Sequence, residues 1–596
     1  MVILTGVSLF ALTPAMLAQT VEIDTEIDTP VATDTADNGA PADIEITSDG
    51  TILIEQVDGT IAVTMNSDNA IQNDGTIQID ESDDSVGILI EANHAGDITG
   101  SGDIFLYDNY EREDDDDDDD LDGPYAIGTN RTAILLQAGG VHTGDISLSP
   151  GAQIVVEGNE SYGIRLQSEL DGRLSLDSSI NVTGDDARAI QADQDISGDV
   201  LISAAVQARG EHAQAVELAG DIGGALTIES AVTSSGFAST ALSNYVAPLN
   251  VDEDTPDVAD RIDAEDLLDN LGAVTVRGSV ANGVLINGNV DTFISEEDAE
   301  DETKDTIEDF DENRTTGSIA SVGSGTALLI AAEDSDLVLG TVIETVRDTL
   351  DDDEDEDIDE TLATFSYAYG LINRGTISAN GLNIGFDASA LRIEGAADGS
   401  ADAIVDGGID NSGFIQATAY DADAVAASFG TGADIGRLDN SGTISAQATA
   451  ISTETAVAIS VEDGAILASL VNDQGTISAQ TSGESGSATA IVDQSGTLTG
   501  IENSGLISAR LIDNGTVVDT PGDAIAIDLR SHDAATGVTL LQDRATPVDD
   551  INGDDVIDND DVETPSIVGD ILLGAGNDRF DLLAGAVTGD TDFGGG

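Results

Sequence analysis

The chain has no cysteine and no tryptophan. Without thiols, a disulfide framework, thiol catalysis and Cys-ligated zinc are all excluded. Positive charge is scarce: Lys304 is the sole lysine, the first arginine is Arg112, and 18 cationic residues face 117 acidic ones. The formal net charge of −99 over 596 residues repels phosphate backbones, which rules out nucleic acid as a partner. Anionic membrane surfaces are disfavoured for the same reason. Salt and divalent cations should relieve the self-repulsion. Aromatic residues make up 3% of the chain, too few for the stacking platforms of a saccharide cleft. Beyond residue 18 no apolar run is long enough for a membrane-spanning helix.

What is there is 40% hydrophobic residues, 65 glycines and only 10 prolines. A core must therefore be built from Val, Ile, Leu and Ala, in short strands joined by tight turns. Gly158, Gly184, Gly210 and Gly236 recur every 26 residues, and Gly172, Gly198 and Gly224 keep the same interval. Apolar positions move in step: Ile164, Ile190, Val216 and Leu242; Leu174, Val200 and Leu226; Leu176, Ile202 and Ile228; Ile154, Ile180, Val206 and Val232. Between the glycines the text alternates apolar and polar, as in L-S-L-D-S-S-I-N-V, which places one strand face inward. One such unit cannot bury its inner face alone, so the units must stack, each over the last. These observations predict an all-β fold, a right-handed parallel β-helix (solenoid) with acidic disordered loop insertions, of about 20 rungs and roughly 100 Å.

The second half carries a sharper repeat: I-N-R-G-T-I-S-A from Ile372, D-N-S-G-F-I-Q-A from Asp410, D-N-S-G-T-I-S-A from Asp439, N-D-Q-G-T-I-S-A from Asn472 and E-N-S-G-L-I-S-A from Glu502. Earlier copies start at Gln72 and Ser48. Asn and Gly tolerate positive φ, so the repeat is expected to form a sharp corner before each strand. Stacked Asn side chains can also hydrogen-bond up and down a column.

With its N-x-G-x-I-x-A repeats, its acidic, Gly-rich and Cys-free composition, and phrases such as G-V-L-I-N-G-N-V (Gly283 to Val290), the chain resembles autotransporter passengers from about residue 40 onward. The resemblance implies an exported protein attached to the outer membrane, and an outer-membrane β-barrel that is not among these 596 residues. On that reading residues 1–18 are a signal-peptide-like segment and 19–249 are N-terminal rungs with an acidic insert at 111–122. Residues 250–312 are rungs interrupted by acidic inserts, and 313–540 are rungs with an insert at 346–362. Residues 541–566 form an acidic, calcium-loop-like insert, and 567–596 the final rungs. Runs of like charge repel one another and leave a solenoid at its corners.

Two stretches carry candidate chemistry. D-I-N-G-D-D-V-I-D-N-D-D, from Asp550, is similar to a calcium loop of the dockerin and EF-hand type. Asp550, Asn552, Asp554, the carbonyl of Val556, Asp558 and Asp561 fall at its oxygen-ligand positions, and Ca²⁺ is the cofactor such a loop takes. Asp555 stands where the bend usually has glycine. L-G-A-G-N-D-R-F-D, from Leu573, resembles one nonapeptide of a calcium-binding β-roll, with Gly574, Gly576, Asp578 and Phe580 at the motif positions. The bland alternative is an ordinary rung. His94, His142, His212 and His532 are far apart in sequence, and His212 follows the turn glycine Gly210, which suits a surface turn. No G-x-S-x-G elbow is present. The sequence therefore points to a noncatalytic cell-surface passenger for adhesion or surface structure, contacting a surface ligand or neighbouring cells. The rivals are a polysaccharide-active β-helix enzyme (lyase or hydrolase) and a calcium-responsive secreted protein.

Overall fold

The computed structural model describes residues 19–112, 123–236, 269–288, 316–348, 361–449, 454–482, 485–513, 521–533, 537–547, 557 and 562–595. Among these residues every regular element is a strand, and no helix is long and apolar enough to cross a membrane. The strands form three long parallel sheets of 18, 16 and 16 strands, and the chain visits the three in rotation. This is a parallel β-helix. One rung runs Leu174–Leu176 in the first sheet, Ser179–Thr183 in the second and Arg188–Ala192 in the third. Alternation explains each strand: Leu174, Leu176, Ile180, Val182, Ile190 and Ala192 point inward and are buried, while Ser175, Asn181 and Gln191 point out. At about 4.8 Å per rung, sixteen rungs rise roughly 77 Å. That is shorter than the expected 100 Å, because insertions between strands take up chain that adds no rung.

The predicted columns are present. Ile164 stands over Ile190, and Ile190 over Val216. The next residue in that column is Val274, not Leu242, which lies outside the described residues. The 26-residue interval stops there because residues 237–268 intervene before the following strand, Gly272–Val276. In the second sheet Ile154, Ile180, Val206 and Val232 stack as expected, followed by Ile319 and Ile377. In the first, Leu176, Ile202, Ile228 and Ile286 form an apolar column that then changes character at Asn373.

From Asn373 the column is amide. Asn373 Nδ2 donates to Asn411 Oδ1 at 2.6 Å, Asn411 to Asn440 at 2.7 Å, Asn440 to Asn472 at 2.8 Å and Asn472 to Asn503 at 2.8 Å. Asn503 Nδ2 then meets Gln542 Oε1 at 3.3 Å. All six side chains are buried. The column corrects the alignment drawn through the repeat glycines, which would place Asp473 in the asparagine slot. Asn472 holds that slot, and the extra residue before Gly475 is absorbed by Gln474 at φ 58°.

The repeat glycines also have a different reason from the one expected. None of Gly375, Gly413, Gly442, Gly475 and Gly505 has a positive φ. A Cβ on Gly442 would lie 2.1 Å from the carbonyl oxygen of Gly413, and a Cβ on Gly413 2.1 Å from that of Gly375. Close stacking, not backbone handedness, selects glycine here. Positive φ appears instead at the corner between the second and third sheets, on Glu160, Asp186 and His212 (51°, 55° and 55°).

Acidity is partly structural. A corner aspartate repeatedly accepts the backbone N–H of the same corner one rung later: Asp185 from Glu211 (3.0 Å), Asp195 from Asp221 (2.8 Å), Asp199 from Ala225 (2.8 Å) and Asp423 from Thr455 (2.7 Å). Such corners leave N–H groups without ladder partners, and a carboxylate satisfies them.

Candidate functional site

The calcium-loop residues Asp550, Asn552, Asp554, Val556, Asp558 and Asp561 lie outside the described residues; within that loop Ile557 alone is described, and it is exposed. The acidic insert at 111–122 is likewise outside, save Glu111 and Arg112, as are 250–268 and 289–312 of the interrupted rungs, 349–360 of the insert at 346–362, and the signal-like segment 1–18. The β-roll-like stretch is described. Asp578 Oδ1 accepts the N–H of Val538 at 2.9 Å, and Phe580 stands in register with Leu540 and packs on the core. Both motif residues are thus used in stacking one rung on another. Among the described residues no group of three or more His, Asp or Glu is placed to hold a metal.

One polar constellation lies outside the main core, at the root of an antiparallel hairpin made by Ile343–Asp348 and Thr361–Ser366. Its strands include 346–348 and 361–362, so the chain leaves the helix as a ribbon there. A small apolar cluster of Leu285, Val342 and Ile372 seats the hairpin root, with Tyr367 and Tyr369 packed against it. Arg374 Nη1 donates to Glu344 Oε2 at 3.0 Å, and the Tyr367 hydroxyl donates to the same oxygen at 2.7 Å. The Arg374 guanidinium lies 4.8 Å from the Tyr367 ring centre, within cation–π range. Burial alone would lower the Arg374 pKa, but the charges of and hydrogen bonds to Glu344 and Tyr367 together outweigh it and the net shift is upward.

One rung further, Asp410 and Asp439 stand side by side in register. The Tyr369 hydroxyl donates to Asp439 Oδ2, and Arg437 Nε to Asp439 Oδ1 at 2.5 Å. Burial, then the bond to Asp439, pushes Tyr369 up to about 12. Burial and the neighbouring charge of Asp439 raise the pKa of Asp410. Two adjacent carboxyls thereby have unlike surroundings: Asp439 is held by a cation and a phenol, and Asp410 is buried beside the Asp439 carboxylate, which raises its pKa above the ordinary value. Unlike carboxyls are the raw material of acid–base chemistry. Beside them is a groove of about 350 Å³ lined by Asp406, Gly407, Asp434 and Arg437, among others. The sequence did carry a signal for this pair, since two successive repeats both begin with Asp. It did not show that Tyr369 and Arg437 converge on one of them.

A second buried constellation joins distant parts of the chain. His532 Nε2 lies 2.7 Å from Asp493 Oδ2, and both side chains are fully buried. Asp493 also accepts from Ser495 Oγ (2.6 Å) and from the Leu498 N–H (2.9 Å). Burial pushes the Asp493 pKa up, but His532, Ser495 and Leu498 together outweigh it and hold the carboxyl below its ordinary value. Ser, His and Asp meet here in the wrong order for nucleophilic catalysis: the serine donates to the carboxylate, not to the imidazole. His142 is also buried, with Nε2 2.9 Å from the Gly96 carbonyl. His212 sits at an exposed corner 3.5 Å from Asp186, as its place after Gly210 predicted.

No family model, no curated protein and no solved structure matches this chain.

Proposed function

We propose that the chain is a noncatalytic passenger of the autotransporter type, exported to the cell surface and serving adhesion or surface structure. The observation supporting this reading is the continuous core, mainly apolar with one buried amide column, that runs along three parallel sheets, with acidic segments inserted in the sequence between strands. A shaft of that kind holds its loops in fixed positions along one axis, away from its point of attachment. In this reading an outer-membrane barrel is supplied by sequence outside these residues. The test is protease shaving and antibody labelling of intact cells that express the full gene, together with attachment assays on a deletion strain. A chain that stays protected inside intact cells would end the proposal.

Ca²⁺, taken by the loop from Asp550 to Asp561, fits the same reading as a ligand that orders the C-terminal region outside the cell. Thermal melts with Ca²⁺ or Mg²⁺ decide it: a rise in Tm specific to Ca²⁺ is expected, and equal melting temperatures end the idea. A second reading, a polysaccharide-active enzyme, is favoured by the unlike pair Asp410 and Asp439 beside a groove. Sugar release by the purified chain, abolished in Asp439→Asn, would establish it in place of the first.

A further inference from the structure

The acidic residues are not spread evenly over the three outer faces. In the second sheet, the nine strands from Ala231–Ser235 to Ala586–Thr588 contain no aspartate or glutamate, and Arg510 is their one charged residue. Across the whole chain 117 of 596 residues are acidic, about one in five. Over the same rungs the first sheet carries Asp410, Asp439 and Glu502, and the third carries Glu394, Asp528 and Asp570. Earlier strands of the second sheet itself carry Glu55, Asp80, Asp103 and Glu157.

The outward columns of this neutral face are hydroxyl and amide. Ser378, Gln416, Ser445 and Ser478 stack in register, the column ends on Ser508, which is buried, and Thr443 stands over Thr476 in the neighbouring column. Exposed apolar side chains punctuate them: Phe414 is 49% exposed and Ile512 40%.

We propose that this face is where a second copy of the chain docks, in a two-fold, face-to-face pair. The occupant follows from charge and area. Two molecules of charge −99 cannot press carboxylate-bearing faces together, whereas the neutral face lets two copies approach without burying a like-charged pair. A two-fold pair uses the same patch twice, so one neutral face is sufficient. Nine strands at about 4.8 Å, each about 17 Å wide, give roughly 700 Å² per copy. The total, about 1,400 Å², falls within the range of specific pairs. The inference concerns the chain in solution and stands or falls independently of where the protein works.

The two contributions predict an unusual salt response. The contact itself is uncharged, and the long-range repulsion of the two shafts is screened by ions. Association should therefore strengthen as NaCl rises from about 0.05 to about 0.5 M, the reverse of an ion-paired interface. Sedimentation velocity of the full chain at several concentrations measures this. The double variant Ser445→Asp/Ser478→Asp places carboxylates at the centre of the face and should weaken the pair by on the order of 100-fold, with Tm unchanged. Thr489→Asp, on the outward side of the third sheet, should leave it intact. A chain that stays monomeric at every salt concentration, or association that the double variant does not weaken, overturns the proposal.

Discussion

Two stretches of one column meet the same stacking requirement in different ways. Between Leu176 and Ile286 the inward position is aliphatic, and its side chains add apolar burial, with no hydrogen bond of their own, to the backbone ladder. Between Asn373 and Gln542 the same position is an amide, and each side chain bonds to the next. The apolar stretch tolerates any residue of suitable volume but does not itself distinguish one register from another. The amide stretch is directional: a rung that slips by one residue leaves a buried amide without its partner. Rung length varies in both stretches: the intervals are 26, 26 and 58 residues along the apolar column and 38, 29, 32, 31 and 39 along the amide column. The difference teaches that the polar column carries its own register signal, whereas the apolar column takes its register from the strands around it.

The comparison can be broken by exchange. Ile202→Asn, an amide set among apolar neighbours, should have the largest effect, about 5 kcal/mol, since it loses apolar burial and leaves a buried amide unsatisfied. Asn440→Leu should cost about 3 kcal/mol, because Asn411 and Asn472 each lose a partner. Replacing all five ladder asparagines by Ile should recover most of that loss while loosening register, read as broader hydrogen exchange over 373–503. Denaturant unfolding gives the energies; if Asn440→Leu costs nothing, the ladder does not hold the rungs. Gly442→Ala should cost about 2 kcal/mol through its clash with the Gly413 carbonyl, whereas Gly151→Ala, with open space around its Cβ position, should cost about 1 kcal/mol from its φ of +101°. Equal values would mean that stacked glycines are not selected by contact.

The smallest effect is expected from pH, and it too separates the halves. Burial holds His142 below its ordinary value of 6.5. The unfolded chain then binds the proton more readily, so the stability His142 contributes is present above pH 6.5 and fades as pH falls below it. Asp493 is held below 3.8, so its contribution is fully present above 3.8 and is lost only as pH falls through the lower folded value. At pH 5, amides near residue 142 should exchange faster relative to pH 7, after correction for intrinsic rates, while those near 493 stay protected. Simultaneous loss in both places would contradict the assignment.

The columns were legible because the period of two and the 26-residue interval are direct consequences of strand geometry and rung size. Bonding along the asparagine column was legible from the recurring N-x-G-x-I text itself, since copies of one motif in a solenoid stack even when the loops between them differ in length. The role of the repeat glycines was not, because steric contact with a neighbouring rung has no local signature in sequence. The meeting of His532 with Asp493, and of Tyr367 with Glu344 and Arg374, depended on which rungs become neighbours. That in turn depends on how insertions interrupt the count, as the replacement of Leu242 by Val274 shows. The calcium-loop residues lie outside the described residues, so their part of the reading stands on sequence.

With the exception of Asp578, which accepts from the earlier rung, the corner aspartates named above give the stack a direction. Asp185, Asp195, Asp199 and Asp423 each belong to the earlier rung and accept from the later one. A coil that has just closed therefore already displays carboxylate oxygens where the incoming coil must place its amides. Growth from the N-terminal end meets a prepared template, while growth from the other end would have to supply the acceptors afterwards. For a chain that emerges gradually from one end, the same carboxylates that make it so acidic would guide each new coil onto the last.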